Sequence, residues 1–190
     1  MKYELIENVL EDFKDLQDLW CNRDNISWYY NSSTLSGENA DNNFMFTHAL
    51  YRNNQISSNF FNTIQEVVFK VSNYSKKTKL LRVKANMYTN QGKNIYHAVH
   101  TDYEDIGDFT TAVFNFTTCN GGTVLFIDDK EVVIPSIENS LLIFDGNIPH
   151  QGFTQTDKNN RVLLNIDFIW YNPVYGFYNW IFIRYFFKRY

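Results

Sequence analysis

The chain has 190 residues, 17 basic against 21 acidic, a formal net charge of −4 and an aromatic content of 18%. A chain of this length hides roughly 70% of the surface its unfolded form exposes, so one domain with a substantial core is expected. The acidic balance, with a pI near 5.5, argues against a protein that grips nucleic acid through a broadly basic face. The opening "MKYELIENVLEDFKDLQDLW" lacks the apolar run of a secretory signal and the acid-poor texture of a transit peptide.

An intracellular, cytoplasmic protein is therefore expected. Cys21 and Cys119 match no metal-binding or disulfide spacing and read as reduced thiols.

Over residues 3–20, Leu5, Val9, Leu10, Phe13, Leu16 and Trp20 recur every three or four positions, which predicts an amphipathic helix. A polar stretch rich in Asn and Ser follows, with no sustained period, and reads as a long ordered loop to about residue 55. Its His48 is expected to be satisfied by backbone groups. A second helix is predicted over 57–73, with Phe60, Phe61, Ile64, Val67, Val68 and Val71 as its stripe.

From Lys79 the texture changes to short runs of Val, Ile, Phe and Thr between Gly, Asn and Asp clusters. Strands are predicted near 80–89, 95–100, 109–117, 122–127, 131–135, 140–145, 149–154 and 161–170, with turns at Asn120–Gly122 and Asp128–Lys130. Eight short strands with turn chemistry between them suggest a mainly β jelly roll with helices packed on it. The expected organisation is a helical and loop support over 1–78, a core over 79–170 and an aromatic segment over 171–190. That last segment, broken by Arg184, is too short for a bilayer span. It reads as a covering helix or arm, or as a contact for a homo-oligomer.

The stretch "HAVHTDYEDIG" places His100 and Asp102 two positions apart after a predicted strand, hence on one face. Two readings stand: a metal site, or a hydrogen-bonded pair at a loop mouth. An Fe(II) site that must leave positions open for other ligands needs two histidines and one carboxylate. A third ligand would have to come from a distant histidine. Of the four histidines, His150 follows the apolar run "SLLIFD" and a Gly-Asn turn, where a strand could present it inward. Eleven residues later Arg161 opens the apolar run "RVLLNIDFIW", where an inward guanidinium needs an anion, and a dicarboxylate would supply one.

With these residues in view, the chain resembles the Fe(II)- and 2-oxoglutarate-dependent dioxygenases, whose motif is H-x-D, a distant H, and R or K about ten residues on. The resemblance is to the prolyl-hydroxylase-like branch and to small phage-encoded members. It extends to "FMFTHALY", "LRVKANMY", "NGGTVLF" and "NSLLIFDGNIPHQG", over roughly residues 44–168. It implies a double-stranded β-helix (jelly-roll, cupin-like) core. His100, Asp102 and His150 would be the iron ligands, Arg161 would bind the far carboxylate of 2-oxoglutarate, and Tyr88 would hydrogen-bond that co-substrate. Where relatives often carry a second tyrosine this chain has Asn115, either a substitute partner or a residue facing elsewhere.

The implied chemistry uses Fe(II), 2-oxoglutarate and O2 to hydroxylate a small molecule or a protein side chain, with nucleic acid and membrane not expected as partners. The retained Asp102 argues against halogenation, because halogenating relatives lack that carboxylate. Demethylating repair enzymes usually carry a second arginine six residues after the first, and here that position is Asp167. A jelly-roll binding module without turnover is the non-enzymatic alternative. His97 reads as a bystander. The acidic run Asp102–Asp108 reads as a solvated rim that would favour a cationic substrate if it meets one.

Overall fold

The computed structural model describes residues 2–22, 24, 26–35, 43–77, 79–104 and 106–170. In chain order they form β1 (Tyr3–Glu7), α1 (Phe13–Cys21), β2 (Tyr29–Asn31), β3 (Met45–Arg52), β4 (Gln55–Ile56), a 3-10 turn (Asn59–Ile64), α2 (Gln65–Ser75), β5 (Lys79–Thr89), β6 (Phe109–Asn115), β7 (Cys119–Ile127), β8 (Lys130–Ser136), β9 (Ser140–Asp145), β10 (His150–Phe153) and β11 (Asn160–Ile169). The aromatic segment 171–190, with the oligomer contact expected of it, lies outside the described residues.

Two antiparallel sheets result. The large one is ordered β1-β9-β6-β11-β5-β3-β2, with β4 paired to β3, and the small one is β10-β7-β8. From β6 onward the chain passes from large sheet to small and back twice, which is the winding of a jelly roll. The fold expected from the sequence, a mainly β jelly roll with helices packed on it, is the fold found. Among the described residues no helix is long and apolar enough to cross a membrane.

The helices cover the outer face of the large sheet. Phe13 and Trp20 of α1 and Val67 and Val71 of α2 pack on Ala85, Phe114, Leu164 and Ile166, all buried. Trp20 stacks on Phe116 at 5.7 Å, and Gln17 donates to the Phe116 carbonyl at 2.7 Å. A second cluster, including Met45, Val113, Leu125, Leu142, Phe144 and Leu163, fills the space between the sheets.

Four local expectations need correcting. Residues 3–7 are a strand rather than helix, paired to β9 from Tyr3↔Phe144 to Glu7↔Ser140. The open edge of β9 offers a ladder that outweighs helical periodicity, and Leu5 and Ile6 then feed opposite faces of the sheet. Within the supposed loop, β3 pairs with β5 and buries Met45, His48 and Leu50; its polar Thr47 and His48 hid the alternation. Two left-handed asparagines, Asn53 and Asn54 (φ 54° and 59°), turn it into β4. Residues 95–100 make only isolated bridges, Tyr96↔Phe153 and His100↔His150. Asn120–Gly122 is no turn but part of β7, whereas Asp128 and Asp129 (φ 50° and 60°) do turn β7 into β8.

His48 lies in a strand, yet both ring nitrogens are engaged, Nδ1 with the Ser27 carbonyl at 2.7 Å and Nε2 with Ser58 Oγ at 2.8 Å.

Candidate metal centre

His100 and His150 face each other across an antiparallel bridge. Each backbone N–H donates to the other's carbonyl, at 2.9 and 2.8 Å, so both side chains leave on the same face. The ring centroids are 4.6 Å apart. Each Nδ1 lies 3.1 Å from the carbonyl two residues earlier, Ala98 and Ile148 respectively. With Nδ1–H donating there, each Nε2 keeps its lone pair for a ligand, a tautomer set by the backbone. Phe144 closes edge-on against His150 at 4.9 Å.

Asp102 completes the cluster. One ligand atom from each of His100, Asp102 and His150 lies within 4.8 Å of the others, and Asp102 Oδ2 is 3.6 Å from His150 Nε2. The other carboxylate oxygen, Oδ1, accepts from Arg82 Nη2. Arg82 also donates through Nε to Asp167 Oδ2 at 2.9 Å, and Thr111 Oγ1 donates to Asp167 Oδ1 at 3.1 Å. Burial alone would raise the Asp102 pKa, but Arg82, His150 and His100 outweigh it and hold the carboxyl well below the usual range. Burial and the neighbouring Asp102 push Asp167 up to about 7. His150 is lowered by burial, which favours the neutral, ligating imidazole.

Arg82, Asp167 and Thr111 are functional candidates that the sequence analysis passed over. A signal existed: Arg82 and Asp167 are charges of opposite sign within two largely apolar runs, and the register pairs them directly.

The cluster opens into a cavity of about 870 Å³ between the sheets. Arg161 lines its other end, 1% exposed, opposite Tyr88 in the β11–β5 register, its guanidinium 5.9 Å from that ring. It donates through Nη1 to the Gly122 and Phe153 carbonyls at 2.8 and 3.2 Å, and Nη2 lies 3.5 Å from Thr123 Oγ1. No carboxylate pairs with it among the described residues, and burial pushes its pKa down. Asp157, four residues before it, accepts from the Asn120 backbone N–H. Glycines make room for the arginine stem: a Cβ at Gly121 would lie 3.2 Å from Arg161 Cδ, and one at Gly152 would lie 3.2 Å from His97 Nδ1.

Tyr88, buried at 7% exposure, lines the same cavity, with the His97 ring 4.8 Å from its own. His97 is thus a neighbour of the site, buried at 5% exposure. Asn115 is set apart from the cavity. Its amide donates to Ser140 Oγ and accepts from Ser136 Oγ, so the place proposed for it at the co-substrate is corrected to a structural one between strands. Of the acidic rim, Glu104 lines the cavity mouth and Asp108 pairs with Lys77 at 2.6 Å.

The donor set fits a divalent iron: two imidazole Nε2 lone pairs and one carboxylate oxygen, the second oxygen being held by Arg82. The buried Arg161, with no carboxylate partner among the described residues, fits the far carboxylate of 2-oxoglutarate, because a guanidinium without a counter-charge is costly to bury.

No family model matches the chain, and no curated protein matches it. Solved structures do. A prolyl-4-hydroxylase from Pseudomonas putida is 14% identical with a TM-score of 0.61, over 90% of this chain and 93% of that one. A prolyl hydroxylase from Trichoplax adhaerens, in complex with a peptide fragment of the hypoxia inducible factor, is 14% identical with a TM-score of 0.65, over 88% and 83%. A 2OG-Fe(II) oxygenase family oxidoreductase from Burkholderia pseudomallei is 9% identical with a TM-score of 0.65, over 87% and 84%. Across this distance in sequence the backbone path is what is shared, and the chain has the jelly-roll fold of the 2OG-Fe(II) oxygenases.

Proposed function

We propose that this chain is an Fe(II)- and 2-oxoglutarate-dependent dioxygenase, acting as a single domain in the cytoplasm and hydroxylating a C–H bond of a protein side chain or small molecule. One observation carries the reading. A single cavity holds two histidines and a carboxylate within 4.8 Å of one another at one end, and a buried guanidinium with no described counter-charge at the other. When bound, iron and 2-oxoglutarate supply the oxidising chemistry, in which O2 and the co-substrate give succinate, CO2 and an oxidised C–H bond.

The chain's own residues hold and orient. His100 and His150 present Nε2 because backbone carbonyls fix their Nδ1–H groups. Asp102 offers Oδ2 while Arg82 holds Oδ1, which favours ligation through one oxygen and leaves more of the metal open. Arg161 anchors the far carboxylate in a dry setting where one charge-assisted pair is strong, and Tyr88 walls it. The peptide bound to the Trichoplax neighbour favours a protein side chain as substrate. The free thiols Cys21 and Cys119 agree with a reducing compartment. Nucleic-acid demethylation is disfavoured, since Asp167, at the place of a second arginine, is fully buried and paired with Arg82.

The test is Fe(II)-dependent conversion of 2-oxoglutarate to succinate, lost in His150→Ala, with calorimetric binding of 2-oxoglutarate to the Mn(II)-loaded protein under nitrogen. Absence of both metal-dependent binding and turnover would sink the reading.

A further inference from the structure

The inward face of β5 presents Arg82, Lys84, Asn86 and Tyr88 to the cavity, and the facing positions of β11 are Asp167, Asn165, Leu163 and Arg161. Only one of these rows sets a charge against a residue of no charge and no aromatic face. Arg82 meets Asp167 and Asp102, and Tyr88 meets Arg161, but Lys84 faces only the neutral Asn165 on β11 and Ala49 on β3. Among the described residues neither the Lys84 ammonium nor the Asn165 amide has a hydrogen bond or ion pair, though both line the cavity.

Nor is Lys84 a surface lysine reaching for water. It is half-buried on the cavity wall, two residues along the strand from the arginine that holds Asp102, about 7 Å at β-strand rise. Asn86, the next inward residue, is 3% exposed and has a carboxamide oxygen with no partner, so the polar wall continues toward Arg161.

Resting on the dioxygenase reading above, we propose that Lys84 and Asn165 form a carboxylate-binding subsite for the prime substrate, an acid whose anionic group is held on the wall beside the metal centre. The ammonium supplies the charge and the amide one directed hydrogen bond, a combination suited to a carboxylate. Arg161 is four residues along from the Lys84 row, about 13 Å at strand rise, so a five-carbon dicarboxylate anchored there leaves Lys84 for a second molecule. The charges agree: the metal ligand Asp102 and the buried Asp167 share Arg82, the co-substrate would answer Arg161, and Lys84 is a cavity-lining cation with no ion pair among the described residues. Burial, then Arg82, pushes the Lys84 pKa down to about 8, against the opposing pull of Asp102 and Asp167. The exposed Glu104 at the mouth is the nearest rim acid in sequence to the ligands, so the acidic rim and the cationic wall act at different depths.

The test uses Mn(II)-loaded protein under nitrogen with saturating 2-oxoglutarate, titrated calorimetrically with hexanoate, hexanamide and hexylamine as probes of one length and three charges. Hexanoate is expected to bind best, to weaken at least tenfold in Lys84→Gln, and to recover in Lys84→Arg. Binding of 2-oxoglutarate itself is expected to be unchanged in Lys84→Gln. Hexanoate that binds no better than hexanamide, or equally well to Lys84→Gln, overturns the subsite while leaving the oxygenase reading intact. Weakened 2-oxoglutarate binding in Lys84→Gln also overturns it, by assigning the lysine to the co-substrate. Failure of 2-oxoglutarate to bind the wild type at all instead removes the reading on which the subsite rests.

Discussion

Replacing Arg82 with glutamine tests whether the hidden network under the metal centre holds the fold as well as the ligand. Arg82 is the only described residue in ion-pair contact with both Asp102 and Asp167, whose side chains are 5% and 0% exposed. Removing one partner of a buried pair costs about 3–5 kcal/mol, because the other charge is stranded. The Arg82 side chain is 25% exposed, so water softens the loss toward the lower end.

A ceiling also follows. A stranded carboxyl can always take up a proton, which for a group of ordinary pKa near 3.9 costs about 4 kcal/mol at pH 7 and only about 1.5 kcal/mol at pH 5. Asp167, already pushed up to about 7, protonates at little cost, so the strain falls on Asp102. The sign is fixed: a carboxyl whose folded pKa is raised holds its proton longer in the folded state, so the deficit of the variant grows as pH rises from about 4 to 7. Urea unfolding of chelator-treated protein should show a loss of about 3 kcal/mol at pH 7, or about 6–12 °C in Tm for a chain of this size, shrinking to about 1 kcal/mol at pH 5. A loss under about 0.5 kcal/mol at pH 7, or one of equal size at both pH values, would refute the argument.

Arg161→Lys keeps the charge but loses the planar fork, and should weaken 2-oxoglutarate binding to the Mn(II)-loaded protein about tenfold, one charge-assisted hydrogen bond's worth; calorimetry reads it, and unchanged affinity contradicts the assignment. Gly146→Ala drives a Cβ to 2.1 Å from the Phe109 ring, which is 1% exposed. A loss of about 1–3 kcal/mol with an unchanged urea m-value is expected, and a neutral result means that the ring can move aside. Burial pushes the Cys21 thiol up to about 11. At pH 8 iodoacetamide should therefore label it about 100-fold more slowly in the native chain than in urea, against a free thiol near 8.5, as followed by intact mass; equal rates would show the residue open to solvent.

How much of this was legible in the chain depends on the range of the interaction concerned. The strands of the core announced themselves through short β-branched and aromatic runs, and Asp128-Asp129 and Asn53-Asn54 carry the turn chemistry of their hairpins in two adjacent residues. His100, Asp102, His150 and Arg161 could be named from residue type, spacing and resemblance. Their convergence rests on the bridge between residues 100 and 150, and this is a property of the folded sheets.

What lay out of reach was set by partners distant in sequence. Residues 3–7 follow a helical period, but the free edge of β9, more than 130 residues on, makes them a strand. Asn115 could be placed on β6 but not at or away from the co-substrate, because the hydroxyls of Ser136 and Ser140 that hold its amide arrive from other strands. Glycines 121 and 122 looked like a turn, yet they leave space for an arginine stem and a phenylalanine ring that only the tertiary structure brings there. Sequence by itself determined the fold class and the chemistry of the ligands, since side-chain type and local period are written residue by residue. Tertiary structure alone decided that Arg82 backs Asp102, that Arg161 is buried without a described counter-charge, and that Lys84 faces the same cavity, because burial and charge balance depend on what the opposite strand supplies.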